Sequence, residues 1–328
     1  MSLTALIDER IRAFLKERRA AVPEATALID EIERVVVAGG KRLRPAFCYW
    51  AFRAAGGPDC PEIVRLTTAF ELLHTFAIVH DDIMDSADER RGQPSTVALM
   101  GMERALLVGD LALVLADSAF WASGFSPETL STAFAEFTEM REQVIAGQYM
   151  DLEAHHVAID EAHARRIANL KSGSYSIEHP LLIGARLADP DEELLDALRR
   201  FGRPLGEAFQ LVDDLLGVFG DPATTGKPVD SDIREGKRNM LFAKTADLLE
   251  GDDADFFMAK WGGGSTLSSE DISRLRASIE VSGARAATEA LIEELATDAA
   301  RALDEAPVAP DARGALQELM RSAVTRTH

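Results

Sequence analysis

Residues 70–85 read FELLHTFAIVHDDIMD, an apolar run that closes on three aspartates. Leu72, Leu73, Phe76 and Val79 recur at three- and four-residue steps, so the stretch predicts a helix with a core-facing stripe. On that helix Asp81 and Asp85 lie one turn apart on one face, and Asp82 neighbours Asp85. Three carboxylates this close repel one another. A divalent cation with oxygen ligands resolves the conflict, and magnesium suits it, because it takes one or two carboxylates together with substrate phosphate oxygens. The bland alternative is a solvated acidic helix end, and this motif alone does not choose between the two.

A second stretch, FQLVDDLLG at 209–217, repeats the pattern: Asp213 and Asp214 follow an apolar helix. Two such sites on separate long helices suggest carboxylates facing each other across a bundle, where metal sites are commonly built. Working outward, helical periodicity covers 3–20, 24–38, 42–55, 60–86, 102–122, 127–156, 159–173, 175–188, 191–218, 234–249, 270–281 and 284–304, and alternating strand patterns are scarce. Gly39-Gly40, Gly56-Gly57-Pro58, Asp189-Pro190-Asp191 and Gly262-Gly263-Gly264 punctuate the breaks, and Ser126-Pro127-Glu128 reads as an N-cap followed by a first-turn proline. The expected architecture is all-α: one large helical bundle forming a single domain over residues 1–328, without linker or tandem repeat. The stretch at 220–233, GDPATTGKPVDSDI, is long, rich in Gly, Asp, Thr and Pro, and without helical character. A loop of that length in a helical protein is usually functional, and closure over a charged ligand is the expectation.

The 328 residues are 47% hydrophobic and 27% charged, with a formal net charge of −20. Such a chain is a poor candidate for nucleic acid, which needs a basic surface, and it lacks a polybasic stretch for an anionic membrane. An anionic substrate is still possible, since clustered cations or bound metals reverse the field locally. Cys48 and Cys60 are too few for a disulfide framework and have no metal-type spacing. The amphipathic, charged N-terminus does not read as a secretory signal, and no run approaches the roughly 20 apolar residues that span a bilayer. A cytoplasmic protein without an integral membrane segment is expected.

Basic residues gather beside the aspartates. Gly39-Gly40-Lys41-Arg42-Leu43-Arg44-Pro45 sets three cations at a helix start, Arg90-Arg91-Gly92 follows the first aspartate cluster, Lys171-Ser172 closes a helical segment, and Lys227 and Lys237 flank the second cluster downstream. Arginine forks match phosphate oxygens and lysine adds a mobile point charge. Each cluster alone reads as surface solvation. Together with paired aspartates they suit a magnesium–diphosphate.

The ordered segments GGKRLRP, ELLHTFAIVHDDIMD, RRGQPS, GQYMDL, KSGSYSIEHP, FQLVDDLLGVFGDP and GKPVDSDIREGKR resemble the trans-type isoprenyl diphosphate synthases, the polyprenyl synthetases, across residues 39–238. The resemblance implies a helical fold around a central cavity, a homodimer, isopentenyl and allylic diphosphates as substrates, and magnesium ions, three per active site. By it, Asp81, Asp82 and Asp85 resemble the first aspartate-rich motif, and Asp213 and Asp214 the second, both holding magnesium on the allylic diphosphate. Arg90, Lys171 and Lys227 resemble residues that contact that diphosphate, with Lys237 in support. Gly40, Lys41, Arg44, His74 and Arg91 resemble the isopentenyl diphosphate pocket. Ser172, Tyr175, Phe209 and Gln210 resemble the lining of the reacting centre. His80, beside the aspartates, reads as a structural neighbour rather than a base, since in this family the departing diphosphate takes the proton. There are departures. Gly217 occupies the place where many relatives carry a third aspartate. Asn239 stands where threonine is more usual and Leu241 where proline is common, neither of these two being expected to touch the metal motifs, and Ser172 replaces threonine but keeps the hydroxyl.

Product length is expected from the helix before Asp81. Phe76, five positions back, lies roughly 7–8 Å along the axis at 1.5 Å per residue, and with small Ala77 beside it resembles the geranylgeranyl (C20) type; farnesyl (C15) and longer products are the alternatives. Phe76 as an ordinary core residue is the competing reading. A class I terpene cyclase fits less well, because it does not need GGKRLRP and RRG. A non-catalytic partner subunit fits less well too, because such subunits lose aspartates that are present here.

Overall fold

The apolar spacing resolves into helices along nearly the whole chain. The computed structural model describes residues 2–220 and 230–325. The elements are α1 (Leu3–Ala21), α2 (Thr26–Val37), α3 (Leu43–Ala54), α4 (Pro61–Met84), α5 (Thr96–Met100), α6 (Met102–Trp121), α7 (Pro127–Ala154), α8 (Glu161–Ala168), a π-helical turn (Asn169–Glu178), α9 (His179–Arg186), α10 (Glu192–Phe219), α11 (Ser231–Glu235), α12 (Met240–Leu248), α13 (Gly251–Lys260), α14 (Ser269–Val281), α15 (Ala284–Glu305) and α16 (Pro310–Val324). The described residues contain one sheet, a two-residue antiparallel ladder in which Glu89 opposes Pro94 and Arg90 opposes Gln93. The all-α class is therefore as expected.

Four local expectations are corrected. The break expected between 173 and 175 is continuous helix, wound more loosely as a π-turn. Within it Gly173 lies against the Gly206 backbone, which a Cβ there would meet at 2.8 Å. Part of the expected loop at 220–233 is the short α11, and residues 221–229, with the loop-closure expectation, lie outside the described residues. Helix α13 forms in a stretch that the helical periodicity left out, and Asp252 and Asp253 suit the positive end of a helix. Helix α16 starts on Pro310, a favoured first-turn residue that periodicity alone passed over. The cap at Ser126 is as expected: its Oγ accepts from the Thr129 N–H at 3.2 Å.

The chain divides into two compact units. The first comprises residues up to Phe137 with Pro180–Leu195 and Pro307–Leu319. Its core holds the fully buried Phe47, Phe70, Phe120 and Phe137, with Phe120 and Phe137 rings 5.0 Å apart. Within it Gly184 lies against the Cys48 backbone, so closely that a side chain would collide. The second comprises Thr138–His179, Asp196–Ala306 and Met320 onward. Phe242, Phe257 and Trp261 stack there at 5.1–5.7 Å among Leu215, Val218, Ile233 and Leu275. Each buried aromatic of this kind contributes about 1.5–3 kcal/mol through removal of apolar surface from water.

Candidate active site

In the first unit, α4 delivers Asp81 and Asp82 in its last turn, with Asp85 as its C-cap. The carbonyl end of a helix disfavours anions, so this cluster needs a local counter-charge. The chain supplies one. After Ser86, which adopts φ 51°, the two-residue ladder folds Arg90 back. Its Nε donates to Asp82 Oδ1 at 2.6 Å and its Nη2 to Asp81 Oδ2 at 3.1 Å. Burial works against the guanidinium charge, but Asp82, Asp81 and Asp85 more than offset it and hold the group above its ordinary value. The three aspartates are thereby distinguished. Asp82 is buried beneath Arg90, whereas Asp81 and Asp85 are partly exposed.

The GGKRLRP and RRG segments meet. Gly39 and Gly40, at φ 107° and 137°, take backbone angles that other residues rarely adopt, and Arg91 Nη1 donates to the Gly39 carbonyl at 2.6 Å. A Cβ on Gly40 would lie 3.9 Å from the Arg91 guanidinium. Arg42 turns the other way. It is buried in a left-handed conformation and donates to Glu71 at 2.6 Å, Asp8 at 2.8 Å and the Val36 carbonyl at 2.8 Å, so it ties α1, α2 and α4 together. Arg44, Arg91, Arg90 and Arg42 all act on His74. Burial first, then these charges, hold the imidazole well below its usual range, so it is neutral near pH 7. Burial and neighbouring cations also lower Arg91. Positive charge concentrated this way favours a multiply charged anion. Lys41 adjoins it in sequence, and Phe76 and Ala77 lie two and three residues beyond His74 in the direction of Asp81.

In the second unit, the π-turn carries Lys171, Ser172 and Tyr175. π-Turns recur at functional sites because the extra residue re-aims side chains. Gly147 lies against the Lys171 backbone with no room for a side chain. The Lys171 ammonium pairs with Asp151 Oδ2 at 2.6 Å. On α10, Phe209 is buried and Gln210 Nε2 donates to Asp214 Oδ1 at 2.8 Å. The Asp214 carboxyl is pushed up to about 8, by burial first and then by the charge of Asp232, with Asp213 adding to it. Lys237 lies 3.0 Å from Glu235 and 4.0 Å from Asp232. Lys227 lies outside the described residues.

Sequence reasoning missed Asp232. It is buried, accepts from Asn239 Nδ2 at 3.3 Å, and its carboxylate lies where a Cβ on Gly217 would fall. The available signal was its place in GKPVDSDIREGKR, where it reads as one more loop acid. Asp151 was missed likewise. Asn239, expected to stand clear of the metal motifs, reaches them through Asp232.

Among the described residues no three acidic, histidine or cysteine side chains are already gathered as a metal cage. The donors nonetheless fit magnesium. They are hard carboxylate oxygens, and magnesium usually completes its shell with water and phosphate. Asp214, a buried carboxyl opposed by neighbouring carboxylates, is a group whose ionised form a divalent cation would favour.

A helical chain with paired aspartates and clustered phosphate-seeking cations defines a class that handles diphosphate esters. Residues 26–276 match the polyprenyl synthetase family model, and the chain belongs to that family. It is a prenyltransferase that elongates isoprenyl diphosphates. It is 38% identical over 214 residues to a geranylfarnesyl diphosphate synthase of Aeropyrum pernix, covering 63% of this chain and 66% of that protein. It is 36% identical over 253 residues to a (2E,6E)-farnesyl diphosphate synthase of Mycobacterium tuberculosis, covering 75% and 68%. Its structure is similar to that of a geranylgeranyl pyrophosphate synthase from Corynebacterium glutamicum, solved with isoprenyl diphosphate and magnesium, with a TM-score of 0.94, 32% identity and 99% of each chain covered.

Proposed function

We propose that this chain condenses isopentenyl diphosphate head to tail with an allylic diphosphate, with magnesium, and makes geranylgeranyl diphosphate. The observation that carries this reading is that Arg44, Arg90 and Arg91 act together on His74 while Arg90 also donates to Asp82 and Asp81. An anion pocket thus adjoins a carboxylate pair, as two diphosphate substrates require.

In this reading Lys41, Arg44, His74 and Arg91, with the open backbone of Gly40, bind isopentenyl diphosphate. Asp81, Asp85, Asp213 and Asp214 hold magnesium, three ions in all, and Asp82 anchors Arg90. When bound, magnesium neutralises charge developing on the leaving diphosphate. Arg90, Lys171, Lys227 and Lys237 add to that neutralisation, which favours breakage of the allylic C–O bond. The isopentenyl double bond attacks the allylic cation, a new C–C bond forms, and the proton lost from the adduct passes to the released diphosphate. Ser172, Tyr175, Phe209 and Gln210 line the cation's surroundings.

Phe76 supports a C20 product, as a bulky ring roughly two turns or less from the aspartates. The chain is proposed to act as one domain and as a homodimer. Leu107, Val114 and Trp121 are exposed and spaced seven apart on α6, so they share one apolar stripe suited to a second copy. No described helix is long and apolar enough to cross a membrane. With free Cys48 and Cys60, this supports the cytoplasm, and the acidic balance speaks against nucleic acid.

The test is incubation with magnesium, labelled isopentenyl diphosphate and, separately, dimethylallyl, geranyl and farnesyl diphosphates, with alcohols identified by mass after dephosphorylation. A C20 alcohol from all three is expected. C15 or C25, the products named for the M. tuberculosis and A. pernix relatives, would overturn the chain length. No elongation by folded protein would overturn the proposal.

A further inference from the structure

Phe76 and His80 are one turn apart on α4, and their rings meet edge to face at 4.8 Å between centroids. The imidazole is itself fixed from outside α4. Its Nε2 lies 3.3 Å from the Leu106 carbonyl on α6 and 3.8 Å from Asp110 Oδ1. Between Leu106 and Asp110 is Gly109, and a Cβ there would overlap the imidazole. The ring therefore lies in a slot that exists because residue 109 has no side chain. Gly109 sits in mid-helix, where glycine costs about 1 kcal/mol relative to alanine, and the slot is a physical reason for that cost.

We propose that His80 and Gly109 are positioning residues for product length: the imidazole, held in the Gly109 slot, backs Phe76 and sets where the growing chain stops. This rests on the reading of Phe76 as the pocket floor. A phenyl ring has freedom about two torsions, and an exposed one samples several rotamers. Edge contact with a ring that cannot retreat removes that freedom. The carbonyl of Leu106 accepts, so the Nε2 tautomer carries the proton, and His80 faces α6 rather than serving as a base at the diphosphate.

The experiment compares Phe76→Ala, His80→Ala, Gly109→Ala and the double variant Gly109→Ala/His80→Ala. Each is checked for folding by circular dichroism and assayed for product length with dimethylallyl diphosphate as starter. Phe76→Ala tests the floor. His80→Ala removes the backing, and Gly109→Ala expels the ring, so both are expected to extend the main product by at least one isoprene unit or spread it over several lengths. In the double variant the methyl enters space the imidazole has vacated. Its products should match those of His80→Ala alone, the non-additivity expected of groups that act through one contact. If Phe76→Ala lengthens products while His80→Ala leaves them unchanged, the positioning role is overturned and the floor stands. If Phe76→Ala changes nothing, the floor fails and the positioning role with it. If the two single changes add in the double variant, they act independently and the slot is refuted. Should Gly109→Ala not fold alone, His80→Ala against Phe76→Ala still decides.

Discussion

The carboxylate of Asp232 fills the space above the Cα of Gly217, and a side chain on one would displace the other. Asp232 thus brings a carboxylate from α11 to the surface of α10 at Gly217. Burial first, and then this same carboxylate, raise the pKa of Asp214, while Asn239 donates to Asp232 and Lys237 lies 4.0 Å from it.

Gly217→Ala should therefore destabilise the protein by about 1–3 kcal/mol, the usual cost of overpacking. In an Asp232→Ala background the same change should cost clearly less. Urea unfolding of the four variants reads this directly, and equal costs in both backgrounds would mean that Asp232 does not occupy the space.

Magnesium binding should depend on pH through Asp214. Its folded pKa, about 8, is raised above the ordinary 3.8. A raised carboxyl binds a proton in the folded state that the unfolded chain has lost. Its contribution to stability is thus present at low pH and lost as pH rises from about 4 through about 8. Magnesium favours the ionised form and competes with that proton. The rise in Tm on adding magnesium should accordingly be larger at pH 8.5 than at pH 6.5. Asp214→Asn should flatten the difference; an unchanged pH dependence in that variant would assign it to other groups.

Arg90→Ala should destabilise the fold by about 3–5 kcal/mol, because it removes the guanidinium that pairs with buried Asp82. Arg90→Ala/Asp82→Asn should recover part of this, since the amide carries no charge. Chemical denaturation measures both, and a single-variant loss below about 1 kcal/mol would mean that solvent reaches Asp82.

His74 predicts an acid-side loss. Its folded pKa is depressed below 6.5, so the unfolded chain takes up a proton at a pH where the folded one does not. Its contribution is present above about 6.5 and lost as pH falls below it. His74→Gln, neutral throughout, should lose less stability between pH 7 and 5.5 than the wild type. Parallel urea midpoints at the two pH values check it, and identical losses would count against the neutral imidazole.

Much of this protein was legible before any coordinates. The apolar stripe at 70–79 set α4, and Asp81, Asp82, Asp85, Asp213 and Asp214 were singled out because repelling charges after an apolar helix call for compensation. Spacing and charge alone read Arg42 and Arg44 as one basic patch, and although the resemblance picked out Arg44, only the left-handed turn at Arg42 shows its guanidinium reaching Glu71 and Asp8. The short helices α5 and α11 carry too few residues for periodicity to register.

What the sequence determined by itself was the helical class, the two aspartate pairs and the cations beside them, because each is written in local spacing and charge. What the tertiary structure decided was the division of labour among like residues. Asp82 became Arg90's buried anchor, Asp232 came to the Gly217 surface from an element fifteen residues downstream, and His80 entered the slot at Gly109. Those outcomes depend on which backbone approaches which and how closely, and sequence spacing carries no record of distance between elements far apart along the chain.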